Sequence, residues 1–209
     1  MSTVRPQMKA VREHSDLVDL IRWIDENASG IELPNDERSM LAIGCLDVAL
    51  EHQAAIALLH ASELYGSALA LLRSETEALV RGLWLLHSAT EGELERFKRG
   101  RVKQEFQDLI DAFEAKVGDG PGVLSGLKER AWKAMNGFTH TGFIQVSRRH
   151  SPGFVKENYD EIELAQALDA AGALGMVAAG QLIAMSASSE RLRMFSERMR
   201  AYSELRPAA

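Results

Sequence analysis

A single cysteine, Cys45, in 209 residues excludes a disulfide framework and any CxxC metal site. No G-x-S-x-G elbow supports Ser-His-Asp catalysis, and no glycine loop is shaped to cradle a phosphate. Helical metal motifs are missing as well. There is no Glu-x-x-His pair and no His-x3-His pair, although His52 and His60 lie eight apart with Asp47, Glu51 and Glu63 nearby. No metal and no cofactor is expected. The balance of charge is not basic either. A net charge of −6 gives no support to a global nucleic-acid coat and leaves room only for a local patch.

Long apolar runs are also wanting. The most apolar stretches, 40–59 and 164–187, are interrupted by Asp47, Glu51, His52, Gln166, Asp169 and Gln181. Neither holds the roughly 18 consecutive apolar residues of a membrane span. The first 15 residues are polar and mixed in charge, unlike a secretory signal. A cytoplasmic protein with no membrane partner is the expectation.

What the chain does have is apolar spacing of three and four nearly throughout, with little β-branched alternation. This predicts an all-α, single-domain multi-helix bundle over residues 1–209, with 1–15 a flexible N-terminal segment. A chain of this length can bury about 70% of its unfolded surface in one core. Helices are expected over 16–27, 36–60 with Asn35 as cap, and 67–88. Thr90 and Glu93 have capping-box spacing and start a helix to about Val117, with a possible break at Gly100. The cluster at 118–122 reads as a loop. Ser125 caps a helix through Phe138, residues 140–159 read as irregular, and the last helices span 160–187 and 190–205.

Two helices carry polar residues in suggestive places. On a wheel of 67–88, Leu69, Leu72, Thr76, Val80, Leu83 and Trp84 form one broad face, and Arg73 and Glu77 fall inside it. Four apart, their side chains can meet. An ion pair among apolar neighbours is costly to break, about 3–5 kcal/mol, so it either orders the bundle or shapes a polar pocket. Ser74, Ala78 and Gly82 on the opposite side permit close helix approach. Farther on, Leu127, Ala131, Ala134, Met135 and Phe138 share an apolar face, while Asn136 and His140 lie four apart on the other side, with Lys133 seven residues before His140. An asparagine amide could orient the imidazole as a base or binding group. Equally, His140 could close the helix C-terminally, with Gly142 providing the turn.

These segments resemble the HEPN superfamily, small helical bundles that include RNases of toxin–antitoxin and phage-defence systems. Its usual signature is an arginine, often followed by asparagine, with histidine after four to six intervening residues. Met135-Asn136-Gly137-Phe138-Thr139-His140 resembles that signature with methionine in the arginine position, and Lys133 is the nearest basic substitute. The run 72–79, with Arg73 and Glu77, is similar to the arginine-and-glutamate helix of HEPN-adjacent bacterial families. The literal match Arg81…His87 is set aside, because the two lie about 120° apart on the wheel. The resemblance implies His140 and Asn136 as site residues, homodimerisation, RNA binding or metal-independent RNA cleavage in a defence setting, and a possible antitoxin partner. Met135 cannot face a phosphate. Arg73 can replace the missing arginine only if its helix lies beside His140 and Glu77 does not neutralise it.

A second feature is the basic run Arg96, Lys98, Arg99, Arg101, Lys103, which with Arg148 and Arg149 could form a phosphate-binding surface. Its aromatic companions are few, and a solvated charged face is the plainer reading. Beside the RNA reading stands a non-catalytic one. In it the chain is a helical protein-interaction module, and the same Arg–Glu and His groups form an internal network.

Overall fold

The computed structural model describes residues 6–117 and 122–204, with side chains from Lys9 on. Among the described residues there are nine helices and one two-residue hairpin. They are α1 (Pro6–Ala28), α2 (Glu37–Ala61), α3 (Tyr65–His87), α4 (Glu91–Lys98), α5 (Phe106–Val117), α6 (Val123–Thr139), α7 (Phe143–Ser147), α8 (Glu161–Met185) and α9 (Ser189–Glu204), with β1 (His150–Ser151) and β2 (Phe154–Val155) between α7 and α8. The fold is all-α.

Sequence and structure part at several boundaries. The stretch expected as a flexible lead-in is helical from Pro6 on, and Ala10 within it is buried at 3% exposure. A short polar segment gives a weak periodic signal, and here a few buried contacts decide its state. Asp36, not Asn35, caps α2, its carboxylate accepting the Ser39 N–H at 3.1 Å. Ser125 does not cap α6. It lies inside the first turn, where the Glu114 carboxylate of α5 accepts the N–H groups of Leu124 and Ser125 at 2.9 and 3.0 Å. That orphan end is closed by another helix, which local spacing cannot reveal. The Thr90–Glu93 box forms, and the chain breaks at Gly100 with φ +65°. Of the expected 118–122 loop, 118–121 lie outside the described residues.

The centre of the fold is α3, thirteen of whose 23 residues are buried. It packs against α2, α5, α6 and α8. With α2 it forms an antiparallel pair: a Cβ added at Gly82, near the end of α3, would meet Leu46 at 3.0 Å and the Ala42 carbonyl at 3.2 Å, near the start of α2. The small stripe seen in sequence thus serves close approach inside the fold. Arg38 of α2 ties off the far end of α3, donating to the Leu85 and Ala89 carbonyls at 2.8 and 2.6 Å. Helices α2 and α8 are long and apolar enough to cross a membrane by length and composition, yet both bury part of their surface against other helices.

Candidate functional site

The site is built where α3 meets α6. Arg73 projects from the middle of α3 at about one-fifth exposure, and Glu77 one turn on is equally sheltered. Arg73 Nε donates to Glu77 Oε1 at 2.8 Å, and the other Glu77 oxygen takes Arg81 at 3.1 Å. One carboxylate therefore serves two guanidiniums and leaves an excess of positive charge. The order Arg before Glu, unfavourable on an exposed helix, is explained by this sharing.

From the other side comes His140. Arg73 Nη1 donates to His140 Nε2. A guanidinium has no acceptor, so in this contact Nε2 accepts, which takes the tautomer with its proton on Nδ1. The Arg73 guanidinium carbon also lies 4.9 Å from the Trp132 ring centroid, and Phe106 of α5 stacks on that indole at 4.3 Å and 8°. Three side chains of α3 and α6 thus meet around one cation, with an aromatic wall beside them.

Two hollows open beside this wall. One of about 350 Å³ has Arg73, Glu77, Arg81, Lys128 and Trp132 in its lining, with Gln104, Glu105 and Gln107 on the α5 side. The second, of about 550 Å³, shares Gln107, Lys128 and Trp132 and adds Lys133, Glu129 and Asn136. Lys128 hydrogen-bonds a neutral partner, Gln107 Oε1, at 2.7 Å, and so keeps its charge available. The His140 imidazole is exposed and lines neither hollow; it is tied to Arg73, which lines the first.

The turn that places His140 is strained by design of its neighbours. His140 closes α6, its N–H bonded to the Asn136 carbonyl at 3.0 Å. The left-handed residue that follows is Thr141, φ +53°, rather than Gly142. Gly142 is needed for another reason. Its N–H reaches the Gly137 carbonyl at 2.7 Å, and a Cβ would press on that same oxygen at 3.0 Å. His140 therefore serves as helix terminus and as Arg73 partner at once. Asn136 does not orient the imidazole: its side-chain amide oxygen, Oδ1, is buried without a hydrogen-bond partner, and Arg73 does the orienting. Met135, in the place the HEPN signature gives to arginine, is buried at 3% and takes a long 3.8 Å contact from Thr76 Oγ1.

The basic residues of the second feature are elsewhere. Arg96 pairs with Glu93, Lys98 with Glu37 and Glu95, and Arg99 with Glu95. Arg148 pairs with Glu163 and Arg149 with Glu157. Each cation has a carboxylate on it, and none of the five lines the two hollows beside Trp132.

Residues 46–208 match the model of a family of unknown function, DUF6988. The chain belongs to that family. The match takes in Arg73, Glu77, Trp132, Asn136 and His140, and leaves α1 outside. It connects the chain to no HEPN protein. No curated protein and no solved structure matches.

Two groups escaped the sequence reading. Glu75 is fully buried on α3, both carboxyl oxygens without a hydrogen-bond partner, and burial pushes its pKa well above the ordinary value. A signal existed: Glu75, Ala78 and Gly82 follow i, i+3, i+7 spacing, so Glu75 lies on the stripe that faces α2. The second is His14, whose ring stacks on His60, 46 positions away by numbering.

Proposed function

We propose that the cleft between α3 and α6 binds the phosphodiester backbone of RNA. The observation that supports this most is the Arg73 guanidinium, shared by Glu77, His140 and the Trp132 face at the mouth of a cationic hollow. Arg73, Arg81 and Lys128 face a hollow of nucleotide size, with Glu77 and Glu105 as the opposing carboxylates. An incoming phosphate oxygen is a stronger acceptor than a neutral imidazole. It would take over the Arg73 Nη1 donor and release His140 Nε2, free to receive a proton from a 2′-hydroxyl. The 2′-oxygen would then attack the adjacent phosphorus and break its P–O5′ bond, leaving a 2′,3′-cyclic phosphate, and the departing 5′-oxygen would take a proton from solvent water, so the step needs no metal. The resemblance to HEPN proteins supports RNA as the polyanion and a cytoplasmic defence or toxin–antitoxin setting, with the chain as a homodimer.

One observation favours the non-catalytic alternative. Glu77 pairs with Arg73 and takes up part of the charge that Arg73 needs in order to replace the missing arginine. The two readings separate in a binding experiment. Filter retention of mixed single-stranded RNA at low salt, in EDTA, should weaken about tenfold or more in Arg73→Ala and in Lys128→Ala, as expected for lost phosphate contacts. His140→Ala should keep retention and abolish cleavage. Equal retention by all the proteins would leave the interaction-module reading in its place, and equal cleavage by His140→Ala would assign the activity elsewhere.

A further inference from the structure

Helix α1 is held against the bundle at two places. Its second half packs Leu20 and Ile24 with α8 and α9 residues. Its first half is held differently, by a file of rings. His14 stacks on His60 of α2 with centroids 5.2 Å apart and planes 21° from parallel. His60 meets the Tyr65 ring edge-on at 5.2 Å, and Tyr65 meets Tyr159 at 5.6 Å. His14 Nε2 donates to the Ala57 carbonyl at 3.0 Å, whereas His60 Nε2 is buried with no hydrogen-bond partner.

Beside this file, Ala10 of α1 packs in one cluster with Leu69 of α3, Phe138 of α6 and Leu164 of α8. Phe138 is two residues from His140 and Leu69 is one turn from Arg73. The first half of α1 therefore supports the same helix end that carries the imidazole.

We propose that His14 and His60 form an acid-sensitive latch that docks the first half of α1 and, through Ala10 and Phe138, steadies the His140 end of α6. Two positive charges on rings this close repel each other. A proton on His60 Nε2 would add a donor to a site that offers it no acceptor. Burial first, and then the nearby His14, hold the His60 pKa below its ordinary value. Ionisable groups near the file include Glu63, Glu157 and Glu161 near Tyr65 and Arg149 beside Tyr159, while Arg12 and Asp16, next to His14 in the chain, pair with each other. Because the docked His60 holds its proton less tightly than an undocked one, docking is at full strength above the free imidazole value of about 6.5 and weakens as pH falls below it.

The test follows hydrogen exchange along the full chain without RNA, so that its result stands apart from the RNA reading. Between about pH 7.5 and 5.5, after correction for intrinsic exchange, protection in 9–17 and in 136–142 should fall as the pH drops below the free imidazole value of about 6.5. Protection in the middle of α3 should not change. His14→Phe and His60→Phe keep a ring in the stack and remove the proton, so both should lose the pH dependence. Protection in the wild-type chain that ignores pH would overturn the proposal, as would both phenylalanine variants retaining the full fall. Should a variant fail to fold, the His60 ring carbon resonance decides in the wild-type chain. A midpoint at or above that of a free imidazole, or one that the α1 amides do not share, overturns it.

Discussion

At the scale of single residues, Glu75 and Arg73 sit two positions apart on α3 and meet opposite fates. Glu75 is sealed in the core with nothing to bond, and the lowest-energy answer is to keep its proton. Its folded pKa lies above the unfolded value, so its favourable share is complete below about pH 4.3 and is lost as pH rises toward the raised value. Glu75→Gln removes that titration, and the variant should gain on the wild type as pH rises. Thermal unfolding at about pH 5 and 8 should show a difference that grows with pH; a difference independent of pH would mean that the carboxyl is ionised in place. Arg73 is only four-fifths covered and shares its carboxylate partner with Arg81. Arg73→Ala should therefore cost about 1–2 kcal/mol, less than an isolated buried pair, because Glu77 retains a cation. Chemical denaturation of Arg73→Ala, His140→Ala and the double variant gives the coupling directly, and additive losses would show that the Arg73–His140 bond is not made in solution.

At the scale of elements, the α6–α7 corner depends on two glycines at close contact. A Cβ at Gly137 would fall on Ile144 Cγ2, a branched group that cannot swing away. Gly137→Ala should destabilise the chain by about 1–3 kcal/mol through overpacking. It should also shift His140, so loss of RNA retention without loss of folding would not be expected from this variant. Similarly, Gly175 of α8 lies directly under the buried Gln53 carboxamide, whose Nε2 donates to the Ala171 carbonyl at 3.2 Å. Gly175→Ala should lower the midpoint of unfolding more than Gly44→Ala, where a Cβ meets open space. The reason for Gly137 and Gly175 is a neighbour brought by the fold, whose identity periodicity along one helix does not contain.

Across the whole molecule, charge is distributed so that the obvious basic run is quiet and a less obvious cleft is not. Arg96, Lys98, Arg99, Arg148 and Arg149 each meet a carboxylate, and substituting Arg96, Lys98 and Arg99 together should leave RNA retention within about twofold, as screened surface pairs allow. Retention through Arg73, Arg81 and Lys128 predicts a log–log salt slope near −2 for single strands. A slope near zero would remove phosphate contacts from the reading.

The all-helical class, most helix spans, the capping box at Thr90 and the break at Gly100 were set by the chain's own local pattern, because helix hydrogen bonds and caps join residues within a few positions of each other. The placement of Arg73 and Glu77 on one face was legible for the same reason. Whether that face would meet His140, 67 positions on, was not, since the meeting depends on how α3 and α6 cross. The same holds for the Glu114 closure of α6, for the folding of α1 from Pro6, and for the stack of His14 on His60. Each joins groups far apart in the chain, and packing of whole helices, rather than the propensity of any one, decided them.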